Sequence, residues 1–332
     1  MSLSRRASWP LYLIGSLVAI GALAMVAWNV ELPYLAWSPG PVADAADAVV
    51  AEEMEVYPPE GQLLMLTILS QDVNVFDALV AGVDPTIDLI RKEAVRRPGE
   101  SDEEYRNRVL EQMDDSNFIA IQVALGALGY PQQMVITEIL GNVPAVDVIE
   151  PGDVIVSVDG VGIDNIDQIA PLIEAHEPGD VIPMVVERQG AQLEVQVQLA
   201  ERDDEPGVAM VGVVLRRLVE APFSLSLEEG DVGGPSAGLM HALAIIDVLT
   251  EGDLTKGHVV AGTGTIDFDG NVGAIGGIRQ KVPAAEAAGA GYILVPKGNH
   301  EAALTAERDH IEIVPVATIE EALAFLDTLE SA

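Results

Sequence analysis

The chain contains no cysteine in 332 residues, which removes disulfides, thiolate zinc sites and cysteine nucleophiles together. Basic residues are scarce: 17 Lys and Arg stand against 53 Asp and Glu, for a formal net charge of -36. A surface of that sign repels phosphates, which argues against a nucleic-acid partner. No Gly-x4-Gly-Lys-Ser/Thr loop and no His-Glu-x-x-His pair occurs, so neither an ATPase module nor a helical zinc site is expected. The histidines (His176, His241, His258, His300 and His310) are scattered. Asp267-x-Asp269-x-Asn271 imitates the start of a calcium loop, but Val272 and Ile278 stand where that loop needs glycine and glutamate. A tight hairpin at Asp269-Gly270 explains those residues better. No metal and no cofactor is expected.

What is present begins with composition. At 49% hydrophobic residues this is not a disordered acidic chain, and its length accommodates two modest domains and an anchor. The chemistry concentrates between Gly233 and Lys281. Gly233-Gly234-Pro235-Ser236-Ala237-Gly238 runs directly into the apolar segment Leu239–Ile246. A serine flanked by small residues at a helix start has an accessible hydroxyl, and first-turn amides there stabilise an oxyanion. The residue before Ser236 is proline, unlike a Gly-x-Ser-x-Gly elbow. Lys281, forty-five residues after Ser236, lies on a second small-residue helix opened by Gly276-Gly277. Desolvation and a nearby helix N-terminus both disfavour its ammonium form, and a neutral lysine accepts a proton from serine. His241 lies five residues after Ser236, about 140° around a helix, which is the wrong face for its base.

Together these two turns resemble the proteolytic domain of the Lon family, and the similarity continues through Thr263-Gly264, Asp269–Gly273 and Ile293–Lys297. The resemblance implies a Ser236–Lys281 dyad, an orienting role for Thr263, supporting roles for Gly234 and Pro235 in the turn, and assembly as a homo-oligomer such as a hexameric ring. Gly233 stands where many ATP-dependent members carry an acidic residue. That departure fits a Lon-like branch with a PDZ domain and a membrane anchor.

Taken in order, the chain opens with Arg5 and Arg6 and then an almost wholly apolar stretch, Leu11–Trp28. Such a helix spans roughly 27 Å, near the hydrocarbon thickness of a bilayer. Trp9, Tyr12 and Trp28 lie near its ends. The arginines before it and Glu31 after it place the body outside the cytoplasm; a cleaved signal peptide is the competing reading. Residues 31–57 read as a linker and 62–69 as a buried strand. Residues 86–129 read as helical pieces broken at Pro98-Gly99, with Arg91, Lys92, Arg96, Arg97, Arg106 and Arg108 forming either a paired solvated face or a contact to anionic headgroups.

Between 133 and 201 the order is strand, Pro-Gly-Asp turn, strand, Asp-Gly turn, helix and hairpin. This is similar to a bacterial PDZ domain, a fold that adds a peptide to a sheet edge. Met134–Leu140 is the expected edge, Asn165–His176 the helix lining the groove, and Gly126–Tyr130 the nearest match to a carboxylate-binding loop. Beyond Val208 the protease-like part is expected to resume, ending in a helix capped by Thr318 and Glu321.

The expected architecture is α+β: a transmembrane helix (1–30), a linker (31–57), an N-terminal part of the catalytic unit (58–132), a PDZ-like domain inserted or appended (133–201), and a Lon-like proteolytic domain (205–332). The expected function is a membrane-anchored, ATP-independent serine endopeptidase with protein or peptide substrates, on the extracytoplasmic side. The alternative is a non-catalytic PDZ adaptor with an inert Lon-like half.

Overall fold

The computed structural model describes residues 9–141, 143–163, 165–228 and 234–332, without the side chains of 9–12, 23 and 24. Arg5, Arg6 and Gly233, to which the sequence reading gives weight, lie outside the described residues. Helix α1 (Trp9–Asn29) exposes Leu13, Ile14, Leu17, Val18, Ile20, Met25 and Val26, and the Trp28 ring near its end sits tilted against Phe76 with centroids 5.9 Å apart. Among the described residues no helix is long and apolar enough to cross a membrane, so the expected anchor finds no support there.

The stretch expected to be a linker is instead strand β1 (Glu31–Asp44). It pairs antiparallel with β2 (Gln62–Asn74) and, over Tyr34–Trp37, with β3 (Asp88–Arg91). Its prolines hide it from the sequence. Proline cannot donate to a ladder, and Pro33, Pro39 and Pro41 fall at or between the two register shifts, outside the doubly paired segment. Helix α2 (Asp102–Ala127) starts at a capping box in which Ser101 and Glu104 exchange backbone bonds. Three of the six clustered basic residues make ion pairs: Arg96 with Asp102, Lys92 with Asp72 at 2.6 Å, and Arg108, within α2, with Glu100 at 2.7 Å.

Two compact units divide the chain. One holds residues 1–123 and 225–332; the other holds 124–224. The second unit is a sheet of β4 (Gln132–Ile139), β5 (Val154–Val158), β6 (Val181–Arg188), β7 (Ala191–Gln198) and β8 (Val213–Val219), in the order β8-β4-β5-β6-β7. Helix α3 (Ile169–Glu174) covers a core of Ile136, Ile155, Ile182, Met184 and Val197. The Pro-Gly-Asp turn is stapled by Arg188, whose guanidinium makes two 2.7 Å bonds to buried Asp153.

Two expectations fail in this unit. Met134–Leu140 is not an edge, because β4 is flanked by β8 and β5. Residues 213–219, read as the return of the protease part, pair with β4 here. Short apolar strands look alike in sequence; only pairing assigns them to a sheet.

The chain then re-enters the first unit with α4 (Gly238–Leu249), β9 (Val259–Gly262), α5 (Ile278–Ala287), β10 (Tyr292–Pro296), β11 (Glu312–Val316) and α6 (Ile319–Asp327). The sheet order is β11-β10-β9-β2-β1-β3. The pairs β2–β9, β9–β10 and β10–β11 are parallel, so α4 and α5 serve as crossovers on its faces. Leu63, Leu64, Met65 and Leu66 of β2 are all buried, as expected for a strand covered on both sides. Leu64 and Leu66 pack with Ile278, Val282 and Ala285 of α5, and alternate residues face the other way. The architecture is thus a mixed helix and strand fold. The Asp269-Gly270 turn joins paired strands Thr265–Ile266 and Val272–Gly273, with Asp267 accepting the amides of Asp269 and Asn271.

Candidate active site

Ser236 stands in a single turn of 3-10 helix, Pro235–Ala237, immediately before α4. Gly234 introduces that turn at φ +113°, a backbone conformation that side chains with a Cβ rarely adopt. Every residue of α4 is buried, His241 included at 1% exposure, so the turn rests on a fixed helix. Ser236 itself is half-buried and opens into a cleft of about 410 Å³.

Lys281 comes from α5. The helix enters through Gly276 and Gly277, where a Cβ would fall 2.9 Å from the Trp37 ring and 2.6 Å from Ile68 Cγ2 respectively. Only glycine lets α5 start so close to β1 and β2, and the reach of Lys281 depends on that approach. Its side chain is 2% exposed. The amine lies 2.8 Å from Ser236 Oγ and 2.8 Å from Thr263 Oγ1. Burial pushes its pKa down to about 7 from an ordinary value of 10.5. Desolvation is the cause, as expected for an ammonium taken out of water.

Thr263, fully buried just beyond β9, donates its hydroxyl hydrogen to the Ser236 carbonyl at 3.0 Å. The same carbonyl accepts the Gly264 amide at 2.8 Å. Ser236, Thr263 and Lys281 therefore form one bonded set, with Gly234 and Pro235 in the turn that carries the serine.

Sequence reasoning missed the other wall of the cleft. Trp37 and Leu66–Ser70 come from β1 and β2, and Tyr105, Arg108, Val109 and Gln112 from α2. Over 66–70 β2 is paired to β1 but not to β9, whose register with β2 ends at Met65. Among the described residues, that second edge of β2 has no strand partner, and it lines the cleft together with the serine and lysine. Nothing local in 62–112 marks these residues, because their role comes from strands joined across the sheet.

In the second unit a 300 Å³ groove lies between α3 and the segment from Met210 to Leu215, lined by Ile155, Ala170, Ile173 and Met184. β8 is the terminal strand at that end of the sheet, and among the described residues its outer edge, beside α3, has no strand partner. The Gly126–Tyr130 segment does not line the groove; Val211-Gly212-Val213 does, with Gly212 at φ +77°.

Residues 226–327 match the family described as Lon protease (S16) C-terminal proteolytic domain, and residues 109–199 match the PDZ domain family. The chain thus combines a Lon-type proteolytic domain with a PDZ domain. Among curated relatives, an archaeal Lon protease of Halobacterium salinarum is 28% identical over 163 residues, covering 44% of this chain and 23% of that protein. An archaeal Lon protease of Methanocaldococcus jannaschii is 34% identical over 112 residues, covering 34% of this chain and 17% of the relative. A Lon protease of Trichlorobacter lovleyi is 41% identical over 93 residues, covering 27% and 11%. The chain therefore spans less than a quarter of the length of these relatives. The crystal structure of the PDZ domain of an SdrC-like protein from Listeria monocytogenes is 20% identical, covers 25% of this chain and 86% of that one, and superposes with a TM-score of 0.24.

Proposed function

We propose that this protein is an ATP-independent serine endopeptidase in which Ser236 is the nucleophile and Lys281 its general base. The observation that carries the reading is a buried amine 2.8 Å from a serine hydroxyl. With a pKa near 7, about half of the amine is unprotonated at neutral pH. Ser236 Oγ attacks the peptide carbonyl carbon and its proton passes to Lys281 Nζ. The C–N bond then breaks, Lys281 returns the proton to the leaving amine, and water attacks the resulting ester with the same base.

The substrate lies extended along the free edge of β2 at residues 66–70, where strand addition supplies backbone bonds. The groove between α3 and β8 recruits protein substrates by the same means. The body is held at a membrane by Leu11–Trp28 on the extracytoplasmic side, and the subunits assemble as a ring; both statements rest on the sequence and its resemblance. A peptide boronate, which forms a tetrahedral adduct with an active serine, tests the reading. Adduct mapping should identify Ser236, and Ser236→Ala should abolish both the adduct and peptide cleavage. Cleavage by Ser236→Ala at the parental rate sinks the assignment.

A further inference from the structure

The hydroxyl of Ser116 lies 3.2 Å from the carbonyl oxygen of Pro235, a residue 119 positions away. Ser116 sits inside α2 and is 5% exposed. A serine at such a position ordinarily bonds the carbonyl four residues earlier in its own helix, but this one donates across to the turn that carries the nucleophile. The approach is close by construction. A Cβ on Gly238 would fall 2.8 Å from Ser116 Oγ, so glycine at the start of α4 lets α2 reach the turn.

The consequence follows from peptide geometry. The Pro235–Ser236 peptide is trans, so its N–H points away from its C=O within one plane. A bond that holds Pro235 O from one side aims the Ser236 N–H to the other. Proline has no amide hydrogen and Ser236 is the second residue of the 3-10 turn, so no carbonyl within the turn can take the Ser236 N–H. On the far side of Ser236, the next peptide is held through its own carbonyl by Thr263 Oγ1 and Gly264 N. Both planes flanking the nucleophile are fixed from outside the turn, one from α2 and one from the end of β9.

We propose that Ser116 is a positioning residue that aims the Ser236 amide as an oxyanion donor. This rests on Ser236 being the nucleophile of a peptidase. Ser116 touches no substrate; it acts through the Pro235 carbonyl. Removing an entire oxyanion donor costs about a hundredfold or more in kcat, so loosening one should cost less, about tenfold. The loss should fall on the tetrahedral state and not on substrate binding.

The test uses the full chain with Ser116→Ala and Ser116→Cys. Three quantities are read: kcat and KM on a peptide, the inhibition constant of a peptide boronate, and the melting temperature. Ser116→Ala should lower kcat about tenfold and weaken the boronate by a similar factor, with KM changed less than about twofold. The cysteine variant, a weaker donor, should fall between the two. The pH midpoint of the rate should stay put, because Lys281 is untouched. Melting within a few degrees of the parent separates this from unfolding. Parental kcat and boronate affinity in a folded Ser116→Ala protein overturn the inference, as does a change confined to KM. If the parent neither cleaves nor forms an adduct at Ser236, the peptidase reading itself fails, and the positioning role with it.

Discussion

Thr263 and Lys281 meet through a hydroxyl oxygen and an amine 2.8 Å apart, and the geometry around Thr263 assigns each a role. The Thr263 hydrogen is engaged by the Ser236 carbonyl at 3.0 Å, which can only accept. Thr263 must therefore accept from Lys281. An unprotonated amine has two hydrogens and one lone pair; with a hydrogen committed to Thr263, the lone pair is free to face Ser236 Oγ at 2.8 Å.

Replacing Thr263 by valine keeps the shape and removes both bonds. We expect kcat to fall by roughly ten- to a hundredfold, in line with the contribution of a correctly oriented base. The lost acceptor had favoured the ammonium form, so the midpoint of the pH–rate curve should also move downward. A rate profile that moves upward contradicts the assigned hydrogen-bond direction.

The parental rate should itself rise with pH. Lys281 titrates at about 7, so log kcat/KM should climb with a slope of about one below that value and level off above it. Lys281→Arg should be inactive at every pH, because a guanidinium stays protonated. A flat profile between about pH 5 and 9 removes Lys281 as the base.

Burying this amine costs stability, and the sign is fixed. The folded pKa of about 7 lies below the ordinary 10.5, so between those values the unfolded chain binds more protons and stability rises with pH. Below about 7 the penalty is complete, on the order of 5 kcal/mol. Lys281→Met removes it and loses two hydrogen bonds worth about 1 kcal/mol each. The inactive variant should therefore be more stable by about 2–3 kcal/mol at neutral pH, and its stability should lose most of the rise above pH 7. Chemical denaturation at several pH values measures both.

For the PDZ domain, the groove beside β8 replaces β4 as the recruiting edge. Ala170 is exposed at its mouth, so Ala170→Trp should fill it without disturbing the core. KM for a protein substrate should rise several-fold while a short peptide is cleaved as before. Equal kinetics on both substrates would leave recruitment to another surface.

The membrane proposal is tested on spheroplasts. Protease added outside should digest the body after residue 31, and protection until lysis reverses the proposed orientation.

Some features were determined within a few residues and were legible in the sequence. The glycines at 234 and 277 adopt positive φ, Thr318 caps α6 by accepting the Glu321 amide, and the run Leu63–Leu66 is buried on both faces. Each reflects a local preference: left-handed backbone, an orphan helix amide, or apolar side chains with no polar alternation. The residue types at 236 and 281 were legible for the same reason, as small-residue turns opening two helices.

Tertiary structure decided what those residues meet. Strand neighbours are chosen by long-range burial and pairing, which no local window contains. Hence β1 joined the sheet despite its prolines, β8 closed the PDZ domain instead of opening the protease part, and the groove moved to a different edge. The 2.8 Å approach of Lys281 to Ser236 is of the same kind. It exists because β9 sets Thr263 beneath the turn and β1 and β2 accept α5 through two glycines, and the depressed pKa follows from the burial that this packing imposes.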